Sequence, residues 1–99
     1  MAKLRIYGDF NDFGAGVCWL LRYRERPLDE QAEELNLRDG MPVILFYEDP
    51  AEEFEFDAVL EFRPDEYPTS QWVARVDESS YRLIRETSLE ILRAKGIVP

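Results

Sequence analysis

The densest chemistry in the chain is acidic: Glu48, Asp49, Glu52, Glu53, Glu55 and Asp57 fall within ten residues that contain no basic group. Oxygen ligands gathered in this way could serve a divalent cation, and calcium takes about six to eight of them. The spacing follows no ordered ligand pattern, however, and Pro50 with two strand ends restricts convergence. A solvated acidic turn that discourages edge pairing is the simpler reading. A second stretch, Asp9-x-Asn11-x-Phe13-Gly14, matches the first, third and sixth places of a calcium loop. It fails further on, because Phe13 stands at a ligand position and Leu20 where a bidentate glutamate belongs. Asp9, Asn11 and Asp12 are better read as turn formers beside Gly8, Gly14 and Gly16. No metal site and no cofactor is expected.

Catalytic signatures are missing as well. The chain holds no histidine, no nucleophile elbow and no phosphate loop; after Gly14-Ala15-Gly16, Trp19 stands where a dinucleotide fingerprint needs its third glycine. Cys18 lies in Val17-Cys18-Trp19-Leu20-Leu21, the setting of a small buried hydrophobe rather than a nucleophile. No catalytic residue is therefore expected. The alternative open to the carboxylates of residues 48–57 is a small-ligand or divalent-metal binder, hydrolytic if two of them form an acid–base pair. Arg22, Arg24 and Arg26 share one side if a strand continues through them. They are then a contact for an anion or a partner, or ordinary ion-pair partners of Glu25, Asp29 and Glu30.

Composition narrows the field further. At 99 residues, with 45% hydrophobic residues, the chain is expected to form a single domain over residues 1–99, with its own core. Its 21 acidic and 12 basic residues give a net charge of −9, which repels a phosphate backbone and argues against nucleic acid as a partner. The same sign argues against anionic membrane surfaces, and the longest uncharged stretch, residues 13–21, is far shorter than the roughly 20 residues that span a bilayer. The start, MAKLRIYGDF, has no sustained apolar region and no small-residue cleavage site, so the cytoplasm is the expected location. Ten arginines against two lysines fit a GC-rich bacterial coding sequence.

Short turn clusters divide the chain into elements. Alternation predicts a strand over residues 3–7, a glycine-rich connection over 8–16 and a strand over 17–23, together a hairpin. Pro27, the acidic residues after it, and Leu28, Ala32 and Leu35 on one face predict an amphipathic helix over 28–35. Residues 42–48 read as a central strand, apolar on both faces. The clearest pattern follows: Phe54, Phe56, Ala58, Leu60 and Phe62 alternate with mostly charged residues, and Trp72, Ala74 and Val76 repeat the period over residues 71–76. Residues 77–80 then read as a hairpin turn into a strand over 81–85, with one long helix over 78–95 as the alternative. Thr87 and Glu90 have capping-box spacing, which starts a short helix near Ser88 that Gly96 ends. The expected fold is mainly β with two short α-helices (α+β), a small barrel or strongly bent antiparallel sheet of five to six strands.

From Leu35-x-Leu37-Arg38-x-Gly40-Met41-x-Val43-Ile44-Leu45-Phe46, through the alternating strand to Phe62, to Trp72-Val73-Ala74-Arg75, the succession resembles SH3-like barrels, including Tudor-like modules. The resemblance covers about residues 35–86. It implies a small barrel that hosts unrelated activities. A Tudor-like module would use an aromatic cage, for which Tyr47, Phe54, Tyr67 and Trp72 are the candidates; Phe54 and Trp72 share the core-facing parity, so packing is their plainer role. The expected function is a protein–protein interaction module without catalytic activity. It would meet a basic protein partner through its acidic surface and an exposed aromatic or sheet-edge patch, and self-association is compatible with it.

Overall fold

The alternation of apolar and charged residues builds the middle of the molecule. In a computed structural model, which describes residues 3–86, β6 (Pro42–Glu48), β7 (Glu52–Phe62) and β8 (Trp72–Glu86) form an antiparallel meander. β1 (Leu4–Gly8) lies parallel to β6, and β4 (Leu21–Tyr23) pairs antiparallel with β1 and carries β5 (Arg26–Pro27). The hairpin of β2 (Phe13–Gly14) and β3 (Val17–Cys18) attaches to the far side of β8. The eight strands make one sheet in the order β2-β3-β8-β7-β6-β1-β4-β5. Only Trp19 and Leu20 separate β3 from β4, yet these strands belong to opposite flanks of that order. The sheet must therefore curl back on itself, as the right-handed twist of strands favours, and it forms a half-barrel.

Period-two geometry sends one set of side chains into the curl. Ile6, Val43, Leu45, Ala58, Leu60, Ala74 and Val76 meet there, joined by Cys18, Leu21 and Leu28. Covering a leucine such as Leu45 or Leu60 completely contributes about 1.5–3 kcal/mol. Gly8 is required by close approach, since a Cβ there would lie 2.8 Å from Leu45 Cδ1 and 3.0 Å from Cys18 Sγ.

Several expectations are corrected. No α-helix is present among the described residues; the stretch expected as a helix over 28–35 is a 3-10 turn, Leu28–Gln31, followed by turns that end at Asn36 with φ 52°. Eight residues offer too few hydrogen bonds to offset helix nucleation, and the side chains are committed elsewhere. Asp29 accepts hydrogen bonds from the Gln71 and Trp72 amides, and Leu28 and Gln31 are buried.

Strand number rises from the expected five or six to eight. Residues 17–23 break into two strands around Trp19 and Leu20, the glycine-rich connection contains β2, and Arg26–Pro27 pairs as β5. Nor is the sheet wholly antiparallel: the long excursion between β1 and β6 permits their parallel pairing. Residues 77–80 neither turn nor start a helix. Asp77 pairs opposite Asp57, and residues 78–81 form a bulge within β8 before Arg82 pairs opposite Glu55. The helix expected from Ser88 to Gly96 lies outside the described residues.

Candidate functional site

The acidic stretch is largely spent on the fold. Asp49 closes the tight β6–β7 connection: its Oδ1 accepts the Ala51 and Glu52 amides at 2.8 Å each. Those amide bonds, Glu52 before Ala51, hold the Asp49 carboxyl below its ordinary range. Glu53 receives Arg5 at 2.9 Å, a partner 48 residues away in sequence. Glu55 and Asp57 both receive Arg82, at 3.0 and 3.1 Å, and these two carboxylates raise the Arg82 pKa. Glu48 is exposed, and Glu52 is half-buried and opposite Glu86 on β8. Among the described residues, no three carboxylate or thiol groups come together in a cluster that could hold a metal ion.

The candidate cage residues separate. Tyr47 packs tilted against Phe54 at 5.3 Å within a larger cluster in which Phe10 also contacts Phe13, Phe54 and Phe56. Tyr67 instead stacks on Trp19 at 5.3 Å, and Trp72 lies against Phe62 at 5.1 Å. The rings thus occupy three places and enclose no common cation. Phe10 caps the inner aromatic cluster because the turn that carries it is fixed locally: Asp9 Oδ1 accepts both the Asn11 amide and its side-chain Nδ2, at 2.9 and 3.0 Å. Cys18 is fully buried; burial pushes its thiol up to about 12, so it is not a nucleophile at neutral pH.

Two further surfaces emerge, of which the acidic pattern marked only Glu48 and Asp49, at one end of the second. One is the far half of β8. Beyond Val76 its second edge meets no strand among the described residues, while Tyr81, Leu83 and Ile84 are 49%, 47% and 50% exposed. The bulge delivers Tyr81 against Phe54 and Phe56, at 5.6 and 5.5 Å. Ser80 fixes it by accepting the Asp57 amide at 2.7 Å, and Ser79 N donates to Asp77 Oδ1 at 3.1 Å. Arg85 braces the same end by donating to the Asp49 carbonyl at 2.8 Å. The pair of serines after an acidic residue was the available signal, but it fits a hairpin turn equally well.

The other surface is a groove on the outward face of β1 and β6, beside Tyr7 and Phe46 and below the β4–β5 hairpin that carries Arg22 and Arg24. The arginine spacing marks Arg22, Arg24 and Arg26 as one set; the strand turns after Tyr23, so Arg22 and Arg24 line this groove and Arg26 is exposed on β5 outside it. No helix among the described residues is long and apolar enough to cross a membrane. Comparison with protein-family models, with curated proteins and with solved structures gives no match, so no relative bears on the SH3-like resemblance.

Proposed function

We propose that the chain is a protein-interaction module without catalytic activity, whose partner lays an extended segment along the edge of β8 that no described strand covers. The observation that carries this reading is the half-exposed trio Tyr81, Leu83 and Ile84 on the half of β8 beyond Val76, which among the described residues pairs with β7 alone. An unpaired edge offers main-chain donors and acceptors for strand addition, and alternate side chains supply the selectivity. Covering each half-exposed apolar side chain contributes about 1 kcal/mol. The bulge at residues 78–81 and a second irregularity at Ile84 confine regular pairing to short segments, the usual way an edge is kept from indiscriminate association.

Charge supports a basic partner. Asp77 and Glu78 are exposed next to the apolar trio, and the net charge of −9 steers cations toward the whole molecule. The test is capture of binding proteins by the wild-type chain, by Leu83→Glu combined with Ile84→Ser, and by Arg38→Ala, on an exposed side chain, as a surface control. A stoichiometric partner retained by wild type and control but lost from the β8 variant is the expected result. Equal retention by all three proteins, or no partner at low and moderate salt, overturns the reading.

A further inference from the structure

In a chain with this acidic excess, an arginine without a carboxylate partner stands out. Arg5, Arg63, Arg75 and Arg82 each reach a carboxylate oxygen within 3.1 Å or less. Arg22, Arg24, Arg26 and Arg38 are exposed and make no ion pair among the described residues, and of these four Arg22 and Arg24 come together on the lining of one open groove of about 1250 Å³. Its floor is aromatic: Tyr7 meets Phe46 edge-on at 5.6 Å, and the Arg5 guanidinium sits 4.0 Å over the Phe46 ring while Glu53 holds it from behind. Register sets Arg22 beside Tyr7 and Tyr7 beside Phe46, so cation and rings form one row across β4, β1 and β6.

The hairpin that carries the arginines is held in a costly shape. Arg24 and Glu25 both have left-handed backbones, φ 52° and 68°, at the two places where asparagine and glycine are the usual choice. Gln31, buried, anchors the hairpin by donating to the carbonyls of Tyr23, Arg26 and Pro27. Strain retained around charged side chains above a groove points from geometry to use. The lining is mixed in charge: Glu25 lies beside Arg24, and Glu48 and Asp49 lie past Phe46 together with Arg85, which donates to the Asp49 carbonyl. A run of carboxylates, as in an acidic peptide, would be repelled there, whereas a ligand with one compact anion and hydrogen-bond donors at its other end is matched.

We infer that this groove binds a small phosphorylated molecule carrying a flat ring, the chemistry of a mononucleotide. Arg22 and Arg24 take the phosphate by charge-assisted hydrogen bonds. The ring lies along Tyr7 and the Arg5 guanidinium, and Glu48 accepts from its amino or hydroxyl groups. This site is independent of the β8 edge. Its test is an NMR titration of the full chain with AMP, with adenosine, ribose 5-phosphate and inorganic phosphate as separate arms. AMP is expected to shift the amides of residues 22–25 and 46 saturably, with Kd below about 1 mM, and each fragment to bind at least about tenfold more weakly. Arg22→Ala and Arg24→Gln, both on exposed side chains, each weaken AMP about tenfold, while the remaining amide spectrum reports an intact fold. Absence of saturation up to about 10 mM AMP overturns the inference. So does AMP affinity unchanged in both variants, or ribose 5-phosphate binding as tightly as AMP.

Discussion

Replacing Gln31 by leucine keeps most of the side-chain volume and removes the donor that holds the β4–β5 hairpin. Gln31 is 4% exposed, and its Nε2 lies 2.9 Å from the Tyr23 carbonyl, 3.1 Å from that of Arg26 and 3.3 Å from that of Pro27. An amide nitrogen has two hydrogens, so two of these bonds are made fully at a time and the third is shared. Each contributes about 1 kcal/mol net, and a carbonyl left without a donor where water barely reaches adds its desolvation penalty. The substitution should therefore cost about 2–4 kcal/mol. For a domain of this size each kcal/mol moves the melting temperature by about 4–8 °C, so far-ultraviolet circular dichroism should show a drop on the order of 10–25 °C. Glu30→Gln, on the exposed neighbour, is the control and should stay within about 0.5 kcal/mol. A Gln31→Leu protein that melts within about 2 °C of wild type would refute the reasoning.

Other outcomes follow from single positions. Glu25→Gly removes a left-handed strain on the order of 1–2 kcal/mol against a glycine entropy cost of about 0.5–1 kcal/mol, so urea midpoints should rise by the equivalent of about 0.5–1 kcal/mol. Cys18, whose thiol burial pushes up to about 12, should react with a thiol reagent at pH about 8 at least about a hundredfold more slowly in the folded chain than in urea. Two carboxyls are held below their ordinary range, Asp49 by the Glu52 and Ala51 amides and Glu61 chiefly by Arg75, then by Arg63. Depressed folded values mean that their contribution is complete above the unfolded values of roughly 4 and is lost as pH falls through the lower folded ones. Urea midpoints between about pH 2 and 6 should fall on the acid side, and Asp49→Asn with Glu61→Gln should flatten that fall.

How much of this was legible depended on whether the cause was local. The alternation from Phe54 to Phe62 reports a half-buried strand directly, and Ala58 and Leu60 are buried as the parity requires. The same pattern misled at its ends, where Phe62 is 46% exposed because it lies at the end of β7 against Trp72. The parallel pairing of β1 with β6 depends on chain distant in sequence, and no residue of either strand announces it. The acidic stretch looked like a surface feature because its neutralising partners, Arg5 and Arg82, sit on other strands. Residues 28–35 carry an honest helical stripe, but Asp29 and Gln31 gain more from strand amides and hairpin carbonyls than from one further turn of helix. In the same way, Arg22, Arg24 and Arg26 were visible as a set, whereas the turn that separates Arg26 and the register that makes Tyr7 and Phe46 neighbours of the other two depend on the sheet.

The most direct test of the interaction reading is hydrogen exchange on the chain with and without its captured partner, read at the amides of residues 82–85. Strand addition at the edge of β8 that no described strand covers predicts exchange there slowed by at least about tenfold in the complex, with the β4–β5 hairpin unaffected. Protection confined to other strands, or unchanged exchange at residues 82–85 in a stoichiometric complex, would contradict it.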